Sequence, residues 1–164
     1  MKIRGEWLVL AQQVMDDRYT QNLSLVSCMD QVAALQFPAL HHGFGVAARY
    51  RCVGEPPLKA VKVHYRLQRR CDADPPEIVG EFDGQWDAGT RWARVVANFQ
   101  YLRLKRPETV RFSMEHRVDG GRWEAGPSCE LDVVQLELSP AQRDALQAEA
   151  TRLGLPLTLS TKSL

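Results

Sequence analysis

Residues 109–118 read TVRFSMEHRV, and this stretch decides the fold class of the chain. From 110 onward every second position is apolar or histidine, and arginine, serine or glutamate fills the positions between them. Successive side chains of a β-strand point to opposite faces, so this alternation places one face on a core and the other in water. The stretch therefore predicts a strand that is buried on one side.

A tight turn and a second apolar run follow this strand. Asp119-Gly120-Gly121 is typical of a hairpin turn, because glycine adopts positive φ angles at little steric cost. Residues 131–138 then form the returning apolar run. We expect the two segments to pair as an antiparallel hairpin.

Similar segments occur upstream, and we predict about eight strands joined by short polar breaks. The segment 7–14 is so rich in apolar residues that we expect it to be covered on both faces. Residues 37–43 read as a connection, residues 31–36 fit either a helical turn or a strand, and residues 157–159 fit either a last strand or a frayed end. The predicted strands are 7–14, 23–29, 44–52, 61–68, 78–82, 93–104, 110–118 and 131–138.

One helix is predicted after the last strand. Ser139 is placed to cap the free backbone amides, Pro140 suits the first helical position, and Gln142 completes a capping box. Gly154 is placed to end the helix, and Pro156 prevents its continuation. The apolar residues at helical spacing on one face are Leu146, Ala150 and Leu153.

No helix lies between the predicted strands, which disfavours parallel β-α-β units. Alternating strands with short turns indicate antiparallel sheets. We therefore expect a mainly β fold: an antiparallel two-sheet sandwich, immunoglobulin-like or jelly-roll-like, with one C-terminal helix. A partly open β-barrel is the alternative. Residues 1–138 form the sandwich domain, and residues 139–164 form a helix and tail that pack on it or extend from it.

Composition and charge exclude several classes of function. The formal net charge is +1, so no overall field attracts nucleic acid or an anionic membrane. No apolar run approaches the ~20 residues of a membrane-spanning helix, and the first residues lack the apolar run of an export signal. The cysteines are scattered, which favours reduced thiols in a cytoplasm and no metal or other cofactor. They are Cys28, Cys52, Cys71 and Cys129.

The most informative polar feature is a set of basic side chains on two predicted strands. Arg49 and Arg51 lie on one strand, and Lys62, His64 and Arg66 lie on the next. If these strands pair, all five side chains share one wet face, which would bind an acidic partner, a phosphate group or nucleic acid. Stacking aromatic residues are not interleaved with these charges, which weakens the nucleic-acid version. The alternative is a solvated face whose charge is balanced across the sheet. The acidic residues available for that balance are Glu77, Glu81, Asp83 and Glu115.

Two tryptophans are candidate ligand aromatics. Trp86 and Trp92 bracket a predicted loop, and exposed tryptophan rings often contact sugars or proteins. Burial as plugs at the ends of the sandwich is the alternative.

Three histidines have predicted environments. His41 and His42 lie in the predicted connection, where a loop would allow them to converge as weak candidate metal ligands, but the usual second pair of ligands is not identifiable. His116 lies on the apolar face of its strand, so we expect it in the core. No metal site is predicted with these residues.

Several short motifs carry a family resemblance. The polar segment 16–22 follows the first strand, and Phe37-Pro38 precedes FGVAARY at 44–50. Gly80-Glu81-Phe82 and PETVRF at 107–112 come later. Over residues 6–138 the chain resembles a family of small, uncharacterised bacterial β-sandwich proteins. The resemblance implies the sandwich fold and supplies no catalytic residues.

The chain contains no nucleophile elbow, phosphate-binding glycine loop or dinucleotide fingerprint. Our first hypothesis is therefore a non-enzymatic protein-interaction or scaffold module of a bacterial cytoplasmic assembly, with a protein partner and with self-association also considered. It would dock through the five basic side chains described above or through the helix after Ser139. The second hypothesis is a binding module for an anionic small molecule or glycan that uses Trp86 and Trp92. The third is a metal-dependent hydrolase that uses His41 and His42.

Overall fold

The computed structural model describes residues 1–17, 22–72 and 74–154, which form nine strands and one helix. Three sequence predictions fall outside these residues: the centre of the turn at 18–21, Pro156 and the short segment 157–159. The elements are β1 (Lys2–Asp16), β2 (Leu23–Cys28), β3 (Gln31–Ala34), β4 (Ala39–Val53), β5 (Val61–Cys71), β6 (Glu77–Trp86), β7 (Trp92–Leu104), β8 (Glu108–Val118), β9 (Glu124–Gln135) and α1 (Pro140–Arg152).

The strands form two sheets, which confirms the mainly β, two-sheet prediction. Sheet A has the strand order β2-β1-β4-β7, and all its pairs are antiparallel. Sheet B has the order β3-β9-β8-β5-β6 and is curled. The pair β3-β9 is parallel, which the prediction of antiparallel sheets missed. These two strands are far apart in the sequence, so no hairpin turn fixes their relative direction.

The core lies between the two sheets. On β8, Val110, Phe112, Met114 and His116 are each no more than 5% exposed, which confirms the strand predicted from the alternation. From sheet A, the ring of Phe44 stacks on Phe99 with their centroids 4.6 Å apart. Burial of side chains of this size stabilises the fold by roughly 1.5–3 kcal/mol each. The two inner faces therefore hold the sandwich together.

Sheet A is also covered on part of its outer face. Beyond Ala11, β1 no longer pairs with β4, and the β1-β2 hairpin packs against the sheet. The side chain of Asn98 on β7 fixes this hairpin: its Oδ1 accepts a hydrogen bond from the Val14 N–H at 3.0 Å, and its Nδ2 donates to the Val14 carbonyl at 2.9 Å. Ala47 beneath the hairpin is completely buried. The double-sided burial expected for residues 7–14 is thus observed in part, because Ala11 and Val14 are buried while Gln12 and Gln13 are exposed.

Two predicted breaks are strand instead. Residues 37–43 were expected to connect strands, but β4 begins at Ala39, and Gly43 bends the strand with a φ of 71° without ending it. Strand β6 continues through Gly84, where we expected it to stop, because this glycine makes room for a ring: a Cβ there would lie 3.0 Å from Tyr65 Cε2. The undecided segment 31–36 contains β3.

The helix begins as predicted. Ser139 Oγ accepts a hydrogen bond from the Gln142 N–H at 3.3 Å, and Gln142 Oε1 accepts one from the Ser139 N–H at 3.0 Å, so the capping box is formed. The predicted apolar residues of the helix do not pack together against the sheets. Leu146 is 40% and Leu153 is 55% exposed, and among the three only Ala150 is buried. Among the described residues, therefore, α1 is mostly a solvated helix.

We expect Asn98→Ala to loosen the β1-β2 hairpin. The substitution removes both hydrogen bonds to Val14, so it should lower the free energy of unfolding by about 1–2 kcal/mol. Urea unfolding measures the loss, and amide exchange at Val14 should accelerate. Gln100→Ala, an exposed change on the same strand, is the control and should stay within about 0.5 kcal/mol of the parent chain. Equal effects of both variants would refute this role of Asn98.

We expect His116 to make stability depend on pH. Burial lowers its pKa, and the Glu124 carboxylate, 3.8 Å from Nε2, offsets part of that effect. Since the unfolded imidazole has a pKa of about 6.5, the stability that neutral His116 provides is present above that pH and is lost as the pH falls below it. His116→Phe removes the titration and keeps a ring edge-on to Tyr50.

Chemical unfolding between about pH 7.5 and 5.5 tests this, with a maximum contribution of about 1.4 kcal/mol per pH unit. The slope should become smaller in His116→Phe but not vanish, because burial also lowers the pKa of His41. An unchanged slope would contradict the assignment.

Candidate functional site

The structure places the five predicted basic side chains on two different sheets. Arg49 and Arg51 lie on β4 in sheet A, whereas Lys62, His64 and Arg66 lie on β5 in sheet B. Strand β4 pairs with β1 and β7, and β5 pairs with β6 and β8. The chain crosses from one sheet to the other between β4 and β5, so the strand pairing that a shared face required does not form.

On sheet B, two of the three predicted basic side chains, His64 and Arg66, have acidic partners, whereas the Lys62 side chain has no ion pair among the described residues. His64 Nδ1 contacts Asp83 Oδ1, and Arg66 Nε donates to Glu115 Oε2. Trp123 lies beside Arg66, with the guanidinium carbon 4.2 Å from the ring centroid. At these two positions the cross-strand charge balance that we considered as the alternative is observed.

On sheet A the basic side chains have a different environment. The register of β1, β4 and β7 places Arg4 opposite Arg51 and Arg51 opposite Trp92. The next row along the strands holds Trp7, Arg49 and Arg94, and Arg91 immediately precedes β7. We call this surface the basic face; it consists of Arg4, Glu6, Trp7, Arg49, Arg51, Arg91, Trp92 and Arg94.

Only part of this charge is neutralised. Arg49 Nε lies 3.0 Å from Glu6 Oε2, and an Arg94 guanidinium nitrogen lies 3.2 Å from Asp16 Oδ1. The side chains of Arg4, Arg51 and Arg91 have neither an ion pair nor a hydrogen bond within the described parts of the chain. Of the five arginines on the basic face, three therefore have no acidic partner in the described structure.

An aromatic ring and an open groove complete the basic face. Trp92 is 41% exposed, and the guanidinium carbons of Arg49 and Arg94 lie 5.3 and 5.5 Å from its ring centroid. These are cation–π distances. The groove has a volume of about 660 Å³, and Arg4, Arg51 and Arg91 contribute to its walls. The arrangement offers guanidinium donors to an anion from neighbouring strands.

Trp86 is not part of this surface. It is 1% exposed, and its Nε1 donates a hydrogen bond to the Tyr65 hydroxyl at 2.8 Å. Burial raises the pKa of Tyr65 to about 12, so this hydroxyl stays protonated. Trp86 is therefore a core plug, the alternative that we considered, and offers no ring to a ligand.

His41 and His42 do not converge. Both lie on β4, opposite Leu102 and Tyr101, and neighbouring residues of a strand face opposite sides. Burial is the main cause that lowers the pKa of His41, and His42 adds to it. Residues 1–17, 22–72 and 74–154 contain no cluster of three or more histidine, cysteine or acidic side chains arranged to hold a metal ion.

Two other observations concern the cysteine thiols and the helical content. All four cysteines are free, and Cys28 is exposed. No helix in the described ranges has the length and apolar character to cross a membrane.

A second groove lies between the edge strands β6 and β7 and has a volume of about 750 Å³. Ile78 and Tyr101, 52% and 58% exposed, lie along it. Arg69 spans the groove, because it donates to the Arg103 carbonyl at 2.7 Å and pairs with Glu77. Lys105 pairs with Asp74. Arg69 and Lys105 in this groove are therefore paired, unlike the three unpaired arginines of the basic face.

Sequence reasoning found Arg49, Arg51 and Trp92 and missed the residues that join them. Arg4 and Trp7 come from β1, whose first five residues were not predicted as strand, and Arg91 and Arg94 flank Trp92. The cluster RWAR at 91–94 was the available local signal. Its meaning depends on the pairing of three strands that are distant in the sequence.

The fold and this surface together define a two-sheet β protein with a basic, aromatic face at one end of sheet A. Residues 6–125 match the model of DUF6941, a family of unknown function, and the chain belongs to that family. The match confirms the resemblance to an uncharacterised family. No curated protein matches the chain.

Three solved structures show weak similarity. A β-glucosidase from Erythrobacter marinus aligns at 11% identity and a TM-score of 0.47, covering 81% of this chain but only 15% of the enzyme. A superoxide reductase (neelaredoxin) from Ignicoccus hospitalis aligns at 15% identity and 0.37, covering 79% and 82%. The cupredoxin domain of amoB from Nitrosocaldus yellowstonii aligns at 14% identity and 0.33, covering 60% and 61%. Similarities at these TM-scores carry no argument about function.

We expect the two kinds of arginine to respond oppositely to neutralisation. Arg51→Gln removes the positive charge directly opposite Arg4 across β1 and β4, so it should raise the free energy of unfolding by a few tenths of a kcal/mol at low salt. The gain should disappear near 1 M salt, where the screening length is about 3 Å. Arg66→Gln breaks the contact with Glu115 and should lower stability instead. Changes of the same sign in both variants would contradict the described charge distribution.

Proposed function

We propose that this chain is a non-enzymatic protein-interaction module, an accessory or scaffold subunit of a bacterial cytoplasmic assembly. It docks an acidic segment of its protein partner on the basic face. The observation that carries the proposal is the set of three arginine side chains, Arg4, Arg51 and Arg91, that lack an acidic partner in the described structure.

Like charges on the basic face repel each other in the free protein. Arg4 and Arg51 stand directly opposite each other on neighbouring strands, and like charges in this position destabilise a sheet. Carboxylates of a docked segment would remove this repulsion and would form charge-assisted, bidentate hydrogen bonds with the guanidinium groups. Relief of this repulsion would therefore make the binding free energy more favourable.

The residue types support a protein partner. Tryptophan and arginine are enriched among the residues that dominate binding energy at protein interfaces. Trp92, which is 41% exposed, lies opposite Arg51 in the register of β4 and β7. A face with locally concentrated charge on a chain of net charge +1 also selects for acidic partners over other proteins.

The proposed location agrees with the thiol chemistry. Free cysteines, with Cys28 exposed, are stable in a reducing compartment such as the cytoplasm. The family match leaves this point open, and fractionation of the source cells tests it.

An anionic small molecule is the second candidate ligand. The groove volume of about 660 Å³ lies within the usual range for small-molecule sites. The glycan version of this hypothesis loses Trp86, which is buried. A carboxylate- or phosphate-bearing metabolite in the groove would use the same arginines.

Charge reversal on the basic face should remove the partner. Arg4→Glu/Arg51→Glu should fold like the parent chain and lose the protein that the tagged parent chain recovers from its own cell extract, because the face changes from positive to negative. Quantitative mass spectrometry of the recovered proteins is the measurement, and circular dichroism checks the fold.

The matched control is Lys62→Glu/Arg70→Glu, which changes the net charge equally on sheet B. This control should keep the partner. Loss of the partner in both double variants, or in neither, would rule out docking on the basic face. A rise in melting temperature of the parent chain with a small anion, and no recovered protein, would favour the second candidate.

A further inference from the structure

We infer that the basic face recognises a phosphate monoester, presented by the docked segment as a phosphorylated serine or threonine. The inference rests on the proposed function and names the chemistry of the partner at the same site. The observations that carry it are the charge excess, the placement of the three unpaired arginines and the occupied face of Trp92.

The charge excess matches a dianion better than a single carboxylate. Three guanidinium groups remain without an ion pair once those with Glu6 and Asp16 are counted. A carboxylate supplies one negative charge and two oxygens, which one guanidinium group satisfies bidentately. A phosphate monoester supplies about −1.5 to −2 charges at pH 7 and three acceptor oxygens. Three guanidinium groups at one groove are therefore better explained by a phosphate.

The strands bring these three side chains together. Arg4 and Arg51 are direct partners across β1 and β4, so their Cα atoms lie about 4.5–5.5 Å apart. Arg91 is held at the same end of the sheet, because its carbonyl accepts a hydrogen bond from the Cys52 N–H at 2.8 Å. Cys52 is the neighbour of Arg51. The three planar forks can thus approach one tetrahedral group from two strands and a loop.

The aromatic residues argue against a nucleotide. A base would need a free ring to stack on, but Trp92 already lies within 5.5 Å of the guanidinium carbons of Arg49 and Arg94. Trp7 is half-buried and packs against the apolar cluster under the β1-β2 hairpin. A phosphorylated side chain needs no stacking partner, so the site fits it with the residues that are present.

The test compares two capped amino acids as probes, N-acetyl-phosphoserine amide and N-acetyl-glutamate amide. Both are titrated into the full chain labelled with ¹⁵N, and the arginine Nε–H signals are followed by NMR. Phosphoserine should bind at least tenfold more tightly than glutamate, and Arg4→Gln and Arg51→Gln should each weaken its binding by about tenfold. Lys62→Gln, on sheet B, should leave the affinity unchanged.

The pH dependence separates a dianion site from general attraction. The second pKa of a phosphate monoester is about 6, whereas arginine stays charged throughout. Phosphoserine binding should therefore weaken severalfold between about pH 7.5 and 5.5. Affinity that does not change over this range would contradict recognition of the dianion.

The remaining outcomes distinguish this inference from the proposed function. If glutamate binds as tightly as phosphoserine while Arg4→Glu/Arg51→Glu still loses its protein partner, the phosphate inference is wrong and the docking proposal stands. Tighter binding of adenosine 5′-monophosphate than of phosphoserine would point to a nucleotide ligand and would overturn the inference. Phosphatase treatment of the extract should abolish recovery of the partner; undiminished recovery would also overturn it.

Discussion

The register of β1, β4 and β7 is the constraint on which the rest of the structure depends. Strand β4 runs through the middle of sheet A and pairs along its length with both neighbours. One face of β4 supplies Phe44 and Tyr50 to the core. On the other face, the same register brings Arg4, Arg51 and Trp92 into one row. A shift by one residue would turn this row into the core and would expose the core residues.

The two sheets use arginine in different ways. On sheet B, cross-strand carboxylates pair with some basic side chains, as Glu115 pairs with Arg66, although Arg70 lies opposite Arg111 in the register of β5 and β8. On sheet A, the acidic residues that lie nearby satisfy only Arg49 and Arg94. Proteins tend to break local rules of stability where they bind other molecules. The like charges of Arg4 and Arg51 at facing positions break such a rule, which supports the proposal that the basic face binds a partner.

Local patterns in the sequence predicted most of the fold. Alternation identified β8, and the Ser139 and Gln142 side chains specified the helix start, because both features depend on neighbours within a few residues. Local patterns failed where contacts with another strand determine the role of a residue. Gly84 reads as a turn residue but makes room for Tyr65, and Trp86 at the end of β6 is a core residue hydrogen-bonded to the same tyrosine. The sheet to which each strand belongs was not encoded in any short segment.

The candidate site shows the same division. Arg49, Arg51 and Trp92 were recognisable as a basic and aromatic set, but their association with Lys62, His64 and Arg66 required a strand pair that does not form. Their true neighbours on β1 are about 45 residues away in the sequence, and only the register of sheet A reveals them. Pairing between distant strands is set by the whole core and not by the local pattern.

The most direct measurement of the central claim is a double-mutant cycle for Arg4→Gln and Arg51→Gln, using the free energy of unfolding of the free chain. We predict a repulsive coupling free energy of about 0.2–1 kcal/mol at low salt. This coupling should vanish near 1 M salt, because the screening length is then about 3 Å. An attractive coupling, or none at low salt, would show that the two guanidinium groups are not the adjacent, uncompensated pair described here.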